Sequence, residues 1–468
     1  MDMQASPSSD LNGRLARLRA AHQRQTPDYA QRVGDLKRLR AGFRARLDDF
    51  VAAMNADFGR RSRHESLFSD GVTVFKEIDH LLRHLRGWMR PKKAAADWLF
   101  APARTEVRYQ PLGVVGIISP WNYPLYLSLN PLAVAIAAGN HVMLKPSEHT
   151  PRTSALLQQL LDDVFPDDRV ATVLGGPDVA AAFASLPFDH LFFTGSTAVG
   201  RKIMAAAAQN LTPVTLELGG KSPAIIAPDY PVETAAERIA AGKFINAGQT
   251  CIAPDYVLLP RAAVEPFVAA VKKYISQRYA DLPTNPDYTS IVNAGQYARL
   301  KSYLDQAHAA GAQIIELAAG DAGKRVLPPT LVLDAREDLA LMQDEIFGPI
   351  LPLVVVDSVD AATDYVNARP RPLALYHFDY DKARTERVLE RTIAGGVTVN
   401  DAVLHIAQDN LPFGGVGPSG MGQYHGRDGF LTFTKQKAVL YQARFSSFAL
   451  MRPPYRGFAD RLLKFLTR

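Results

Sequence analysis

Through the first ninety residues, apolar side chains return every three or four positions among Arg and Asp, as on one face of a helix. The pattern predicts helices over 11–24, 28–57 and 66–90. Residues 97–110 lose that rhythm and read as a hairpin that leaves the body of the domain. From Gly113 short apolar runs alternate with longer amphipathic ones. Strands are expected at 113–118, 141–144, 170–174 and 191–193, and helices at 125–138, 151–165 and 197–208. Thr150 takes the N-cap position before Pro151, which suits the first helical turn.

A second alternation starts near Glu217. It predicts strands at 224–226, 256–259, 331–333, 351–356 and 397–399, and helices at 235–246, 262–279, 296–310 and 359–367. Residues 431–441 form a late extended segment that can pair with the early hairpin. Strand–helix alternation at this pitch implies parallel sheets covered on both faces, which bind ligands beyond the carboxyl ends of their strands. The chain thus reads as two α/β domains plus a small β element built from both ends. A projecting edge of that kind invites pairing with another subunit.

Composition adds bounds. A chain of 468 residues with 47% hydrophobic content is too long for one ordinary core and too apolar to stay disordered. A net charge of +6 is mild and spread out. The basic run from Arg83 to Lys93 has no interleaved aromatic residues, so it reads as a solvated face and not a nucleic-acid site. His80 and His84 have the spacing of two zinc ligands on a helix, but Arg83, Arg86 and Arg90 would repel a cation, so no metal is expected. Cys251 is the sole cysteine; that excludes an intrachain disulfide and fits a reducing, cytoplasmic setting. Met1 to Asp10 show no secretory signal, and no apolar run of about 18 residues suggests a spanning helix.

The chemistry concentrates in a few stretches. Phe244-Ile245-Asn246-Ala247-Gly248-Gln249-Thr250-Cys251 ends in that thiol. A nucleophilic sulfur must become a thiolate, which calls for a small, donor-rich setting that Gly248, Gln249 and Thr250 offer. The alternative is a buried Cys serving as a small hydrophobe. Phe192 to Gly200 closes a strand and opens a helix at Thr194-Gly195-Ser196, where free N–H groups suit a phosphate; the bland alternative is a glycine turn. Lys145 and Glu148, with Ser147 between them, end a strand where dinucleotide folds hold a ribose; otherwise they form a solvated turn. Ser119-Pro120-Trp121-Asn122-Tyr123-Pro124 is stiffened by two prolines, so the Asn122 amide is held as an oxyanion-hole donor would be, or is simply a turn Asn. Glu217 stands between two leucines, where burial would raise its pKa toward that of a general base, unless it points to solvent. Gly219 leaves room for a ligand nearby. Glu345 and Phe347 lie in a second apolar, turn-rich stretch that on its own reads as a surface turn.

Together these stretches resemble the aldehyde dehydrogenase superfamily over about residues 30–442, with Glu217 and Cys251 thirty-four positions apart. Leu211 to Glu217 and Cys251-Ile252-Ala253-Pro254-Asp255-Tyr256 resemble its class 3 branch, which includes fatty aldehyde and coniferyl aldehyde dehydrogenases. The tail from Met451 to Tyr455 with the basic helix after it is similar to the bacterial coniferyl aldehyde members. The resemblance implies a Rossmann-like NAD-binding domain (1–96 and 112–216), a catalytic α/β domain (217–412), an oligomerisation β element (97–111 and 428–442) and a tail helix (443–468). It implies Cys251 as nucleophile, Asn122 as oxyanion donor and Glu217 as the base that hydrolyses a thioester. Cofactor contacts are implied at Trp121, Lys145, Ser147, Glu148, Thr194, Gly195, Ser196, Gly200, Leu218, Gly219, Glu345 and Phe347.

An acid at position 148 favours NAD, and class 3 members often accept NADP. The implied reaction takes an aldehyde to an acid through a Cys thioester, with coniferyl or a similar aromatic aldehyde ahead of a long-chain aliphatic one. Glu217 argues against CoA-acylating relatives. Rival classes are a cofactor-independent thiol esterase and a silent nucleotide-binding scaffold. A homodimer is implied. The tail helix, with Phe458, Leu462, Leu463, Phe465 and Leu466 among Arg456, Arg461, Lys464 and Arg468, reads as a gate or dimer-packing element first and a membrane-surface binder second.

Overall fold

The structure is a computed structural model that describes residues 7–455 and 457–467. Two parallel-dominated sheets and one antiparallel ribbon organise it. The six-stranded sheet runs, from edge to edge, through Gly420–Met421, Val214–Glu217, His190–Thr194, Val114–Ile118, His141–Lys145 and Val170–Thr172. Its strands are parallel except Gly420–Met421, which returns from late in the chain to lie antiparallel beside Val214–Glu217. The seven-stranded sheet orders Gln313–Glu316, Thr330–Leu333, Ile350–Val355, Tyr256–Leu259, Pro223–Ile226, Ala374–Phe378 and Gly396–Val399. There the first strand alone is antiparallel. Central strands such as Val114–Ile118 and Ala374–Phe378 are buried throughout, as strands covered on both faces must be. The two α/β sheets and a β element built from both ends of the chain agree with the expected architecture.

The ribbon pairs Lys92–Ala94, Arg104–Pro111 and Thr434–Tyr441. The early hairpin therefore meets the late segment, but its first strand, Lys92–Ala94, lies ahead of the expected 97–110, and Trp98–Phe100 forms a 3-10 turn there. Residues 431 and 432 instead close the short helix Gly426–Thr432, because Phe430 buries its ring beside Trp88.

Several elements differ from expectation for identifiable reasons. The helix expected at 28–57 breaks at Arg46 into Tyr29–Ala45 and Leu47–Phe58, and the break turns Phe43 and Phe50 onto one core, ring centroids 5.7 Å apart. The helix expected at 66–90 begins with a π turn, Ser66–Val72, before Thr73–Trp88. Such turns are rare and gather at functional sites. Thr150 precedes its helix but makes no side-chain cap. The Asp57 carboxylate, nearly a hundred residues upstream, accepts from the N–H groups of Arg152 (3.1 Å) and Thr153 (2.9 Å) instead. Helices Pro177–Ala184 and Lys382–Arg391 and strands Gln313–Glu316 and Ala374–Phe378 were not anticipated. Helix Lys382–Arg391 is largely charged and buries only Val388, so it carries almost no apolar stripe to read.

His80 and His84 pack with Trp88, ring centroids 4.5 Å apart within the His pair. Arg456 and Arg468 of the tail lie outside the described residues. Among those described, no helix is long and apolar enough to cross a membrane.

Candidate active site

The nucleophile loop is built by an unusual backbone. After helix Val232–Phe244 the chain runs through Asn246, Ala247 and Gly248 at φ +51°, +50° and +74°. Non-glycine residues held there carry strain of about 1–3 kcal/mol each. Asn tolerates this region best, and at Gly248 a Cβ would overlap the carbonyl of Gly348. The turn delivers Cys251 to the mouth of strand Tyr256–Leu259.

Gln249 and Thr250 do not serve the sulfur with their side chains. Gln249 donates to the carbonyls of Asn246 (2.9 Å) and Ser290 (3.1 Å) and accepts from the Val292 N–H. Thr250 bonds the Tyr123 hydroxyl at 2.6 Å. Loop rigidity outranks donation here. The Cys251 thiol is pushed up to about 12, by burial first and then by the Glu345 and Glu217 charges; the backbone N–H groups of Cys251 and Ile252 act the other way.

Glu217 ends strand Val214–Glu217 and is buried with both carboxylate oxygens unpartnered. Burial alone raises its pKa well above the usual carboxylate range. In its ionised form a carboxylate of raised pKa is a stronger base than usual toward a water or thiol set before it. Asn122, in the loop after strand Val114–Ile118, is also buried and donates Nδ2–H to the Gln249 carbonyl at 3.1 Å. One N–H of the amide remains for a ligand.

These three side chains line one cavity of about 740 Å³, between the carboxyl ends of strands Val114–Ile118, His190–Thr194 and Val214–Glu217 and the amino ends of strands Pro223–Ile226, Tyr256–Leu259, Ile350–Val355 and Ala374–Phe378. Trp121, Thr194, Gly195, Ser196, Leu218, Gly219, Glu345 and Phe347 line it too. The residues fit a dinucleotide. Ser196 caps helix Thr197–Ala208, whose N-terminus faces the cavity. The Thr194 hydroxyl and Glu345 Oε1 are buried without a protein partner. A Cβ at Gly219 would overlap the Glu345 carboxyl, so only glycine leaves the opening there. Burial, then Asp255, pushes Glu345 up to about 8. Phe347, at φ +52°, meets Trp121 edge-on, centroids 5.3 Å apart.

Four expected cofactor residues fall outside this cavity. Lys145 Nζ holds Glu148 at 3.0 Å, Ser147 Oγ accepts the His149 N–H, and these stand at the end of the adjacent strand His141–Lys145. Gly200 lets its helix approach Leu218, whose Cδ2 would lie 2.6 Å from an added Cβ. Conversely, Arg201, Arg299, Arg369 and Arg371 line the cavity and were not picked out. The alternating Arg369-Pro370-Arg371-Pro372 was the one local signal; an evenly spread net charge hid the rest.

A model of the aldehyde dehydrogenase family matches residues 6–439. A probable coniferyl aldehyde dehydrogenase of Pseudomonas aeruginosa is 52% identical over 97% of this chain and 96% of that protein. A coniferyl aldehyde dehydrogenase of a Pseudomonas strain is 45% identical, covering 98% and 96%. A 4,4'-diaponeurosporen-aldehyde dehydrogenase of Staphylococcus aureus is 38% identical, covering 92% and 94%. Among solved structures, a substrate-bound Staphylococcus aureus AldH superposes with TM-score 0.93 at 37% identity, covering 98% of this chain and 99% of that one. A Mycobacterium tuberculosis aldehyde dehydrogenase complexed with NAD+ gives TM-score 0.84 at 27% identity, covering 94% and 91%.

Proposed function

This chain belongs to the aldehyde dehydrogenase family, and from that premise we propose that it oxidises coniferyl aldehyde or a closely similar aromatic aldehyde to the acid. The family reaction is NAD(P)-dependent aldehyde oxidation. A coniferyl aldehyde dehydrogenase and a probable one, each matched over nearly its whole length, support the aromatic substrate. The observation that carries the chemistry is the convergence of Cys251, Asn122 and Glu217 on one cavity.

With Glu217 ionised, the Cys251 sulfur forms a bond to the carbonyl carbon as its proton passes to the Glu217 carboxylate. The resulting oxyanion accepts from the free Asn122 N–H and from the Cys251 backbone N–H. Bound NAD(P) supplies the two-electron acceptor, so that loss of hydride leaves a thioester on Cys251. Glu217 releases that proton to solvent and then takes one from water. The hydroxide adds to the thioester carbon, the C–S bond breaks, the sulfur takes back the proton held by Glu217, and the acid leaves. Glu345 and Phe347 would hold the nicotinamide ribose end, Ser196 the pyrophosphate, and Lys145 with Glu148 the adenosine ribose.

Further assignments belong to the same proposal. The divisions 1–96 with 112–216, and 217–412, act as cofactor and catalytic domains. The ribbon and tail serve a homodimer, and the reactive thiol suits the cytoplasm.

The test is kcat/KM for coniferyl aldehyde, benzaldehyde and decanal with both NAD and NADP. Coniferyl aldehyde with NAD is expected to lead. A clear win for decanal would instead favour a long apolar substrate, the second reading, which the match to the diaponeurosporen-aldehyde enzyme supports.

A further inference from the structure

The Asn122 loop is gripped from outside the cavity by two charged residues of the N-terminal helical region. Arg61 and Asp70 have no side-chain exposure and pair at 2.9 Å. The second arm of the Arg61 guanidinium donates to the Asn122 carbonyl at 2.7 Å. Its plane is packed by Phe58 and Tyr123, ring centroids 4.6 and 5.3 Å from Cζ. The other Asp70 oxygen accepts the N–H groups of Leu125 and Tyr126, both at 3.0 Å. Helix Tyr126–Ala138 has no side-chain cap of its own at Leu125, so Asp70 supplies one from within the π turn. A third grip comes from the nucleophile side: Asn246 Nδ2 donates to the carbonyls of Asn122 (3.1 Å) and Gln249 (3.2 Å).

A fully buried ion pair is a poor device for stability alone, since an apolar replacement of similar volume often does as well. What this pair offers is direction. The guanidinium is a planar fork that fixes two acceptors at once, here a carboxylate and the backbone oxygen of Asn122. We propose that Arg61, oriented by Asp70 and seconded by Asn246, is a positioning residue that holds the Asn122 amide where the aldehyde oxyanion forms. It touches no substrate and acts through Asn122. The inference therefore rests on the oxyanion role assigned to Asn122 above. Oxyanion donors act within a narrow distance range, and a misplacement of about 1 Å can cost about 100-fold.

A double-mutant cycle on kcat/KM for the aldehyde tests it, with NAD affinity and melting temperature measured alongside. Arg61→Lys keeps a cation for Asp70 but loses the fork. It is expected to lower kcat/KM about 10- to 100-fold with NAD affinity unchanged. Asn122→Ala is expected to lower it about 100- to 1,000-fold. In the Asn122→Ala background Arg61→Lys should change nothing further. Asn246→Gly keeps the left-handed backbone, removes the third grip, and should show the same non-additivity; it carries the cycle if Arg61→Lys does not fold.

The clamp is overturned if Arg61→Lys leaves kcat/KM within about twofold of wild type. It is equally overturned if its loss is multiplicative with Asn122→Ala, or if NAD affinity falls in step. If Asn122→Ala itself is silent, the oxyanion assignment fails first and the clamp with it, a result distinct from a clamp failure alone.

Discussion

Burial shifts Glu217 and Cys251 in the same direction, favouring the protonated form of each, and the Glu345 and Glu217 charges add to the shift at the thiol. Raised acids release protons only as pH climbs, so reactions that need them ionised accelerate with pH. Alkylation of free enzyme by iodoacetamide should therefore be slow at pH 7 and rise about tenfold per pH unit toward pH 9; a rate already flat above pH 7 would place the thiol far below about 12. Glu217→Gln should keep the first hydride transfer, seen as a burst of reduced cofactor, while steady turnover drops by about 100- to 10,000-fold. Unaltered steady turnover would remove Glu217 from deacylation.

The element that matters most is the turn 246–248, because three consecutive left-handed residues aim the nucleophile. Gly248→Ala adds a Cβ against the Gly348 carbonyl at φ +74°, and should destabilise by more than about 2 kcal/mol in urea unfolding. Helix Thr73–Trp88 makes a pH-dependent contribution of its own. Glu77 accepts the Gly426 N–H at 3.1 Å and is pushed up to about 8, by burial first and by Asp409 next. Between about pH 4.5 and 8 the unfolded chain binds fewer protons at this site than the folded one, so stability falls as pH rises through that window. Glu77→Gln keeps the acceptor and removes the proton; its melting temperature should fall less than that of wild type between pH 6 and 8. An identical pH slope would show that Glu77 does not titrate as argued.

For the whole molecule, one cavity gathers strand ends of both large sheets, while ribbon and tail lie outside its lining. In a single chain the tail helix Gly457–Leu466 leaves Phe458 and Phe465 exposed at 49% and 70%, and Phe448, 51% exposed, meets Phe100 of the ribbon region. Truncation after residue 442 should leave NAD affinity intact and change either the solution mass or the preference among bulky aldehydes. Light scattering and the aldehyde panel read these directly, and no change in either would free the tail from both gate and dimer roles.

The sequence by itself determined the alternation of apolar runs, hence the two parallel sheets and the hairpin that meets the late strand. It also offered Cys251, Asn122 and Glu217 as candidates, each with a bland alternative, and only the family resemblance gave them roles. Only the tertiary structure decided what holds them. Asp57 capping a helix nearly a hundred residues on, Arg61 and Asp70 gripping residues 122–126, and arginines gathering around the cavity are contacts between distant segments. Hydrophobic periodicity reports which face of an element is buried and says nothing about which polar partner waits there. For the same reason the Gln249 and Thr250 side chains, donors by type, were committed by the fold to the loop instead of the sulfur.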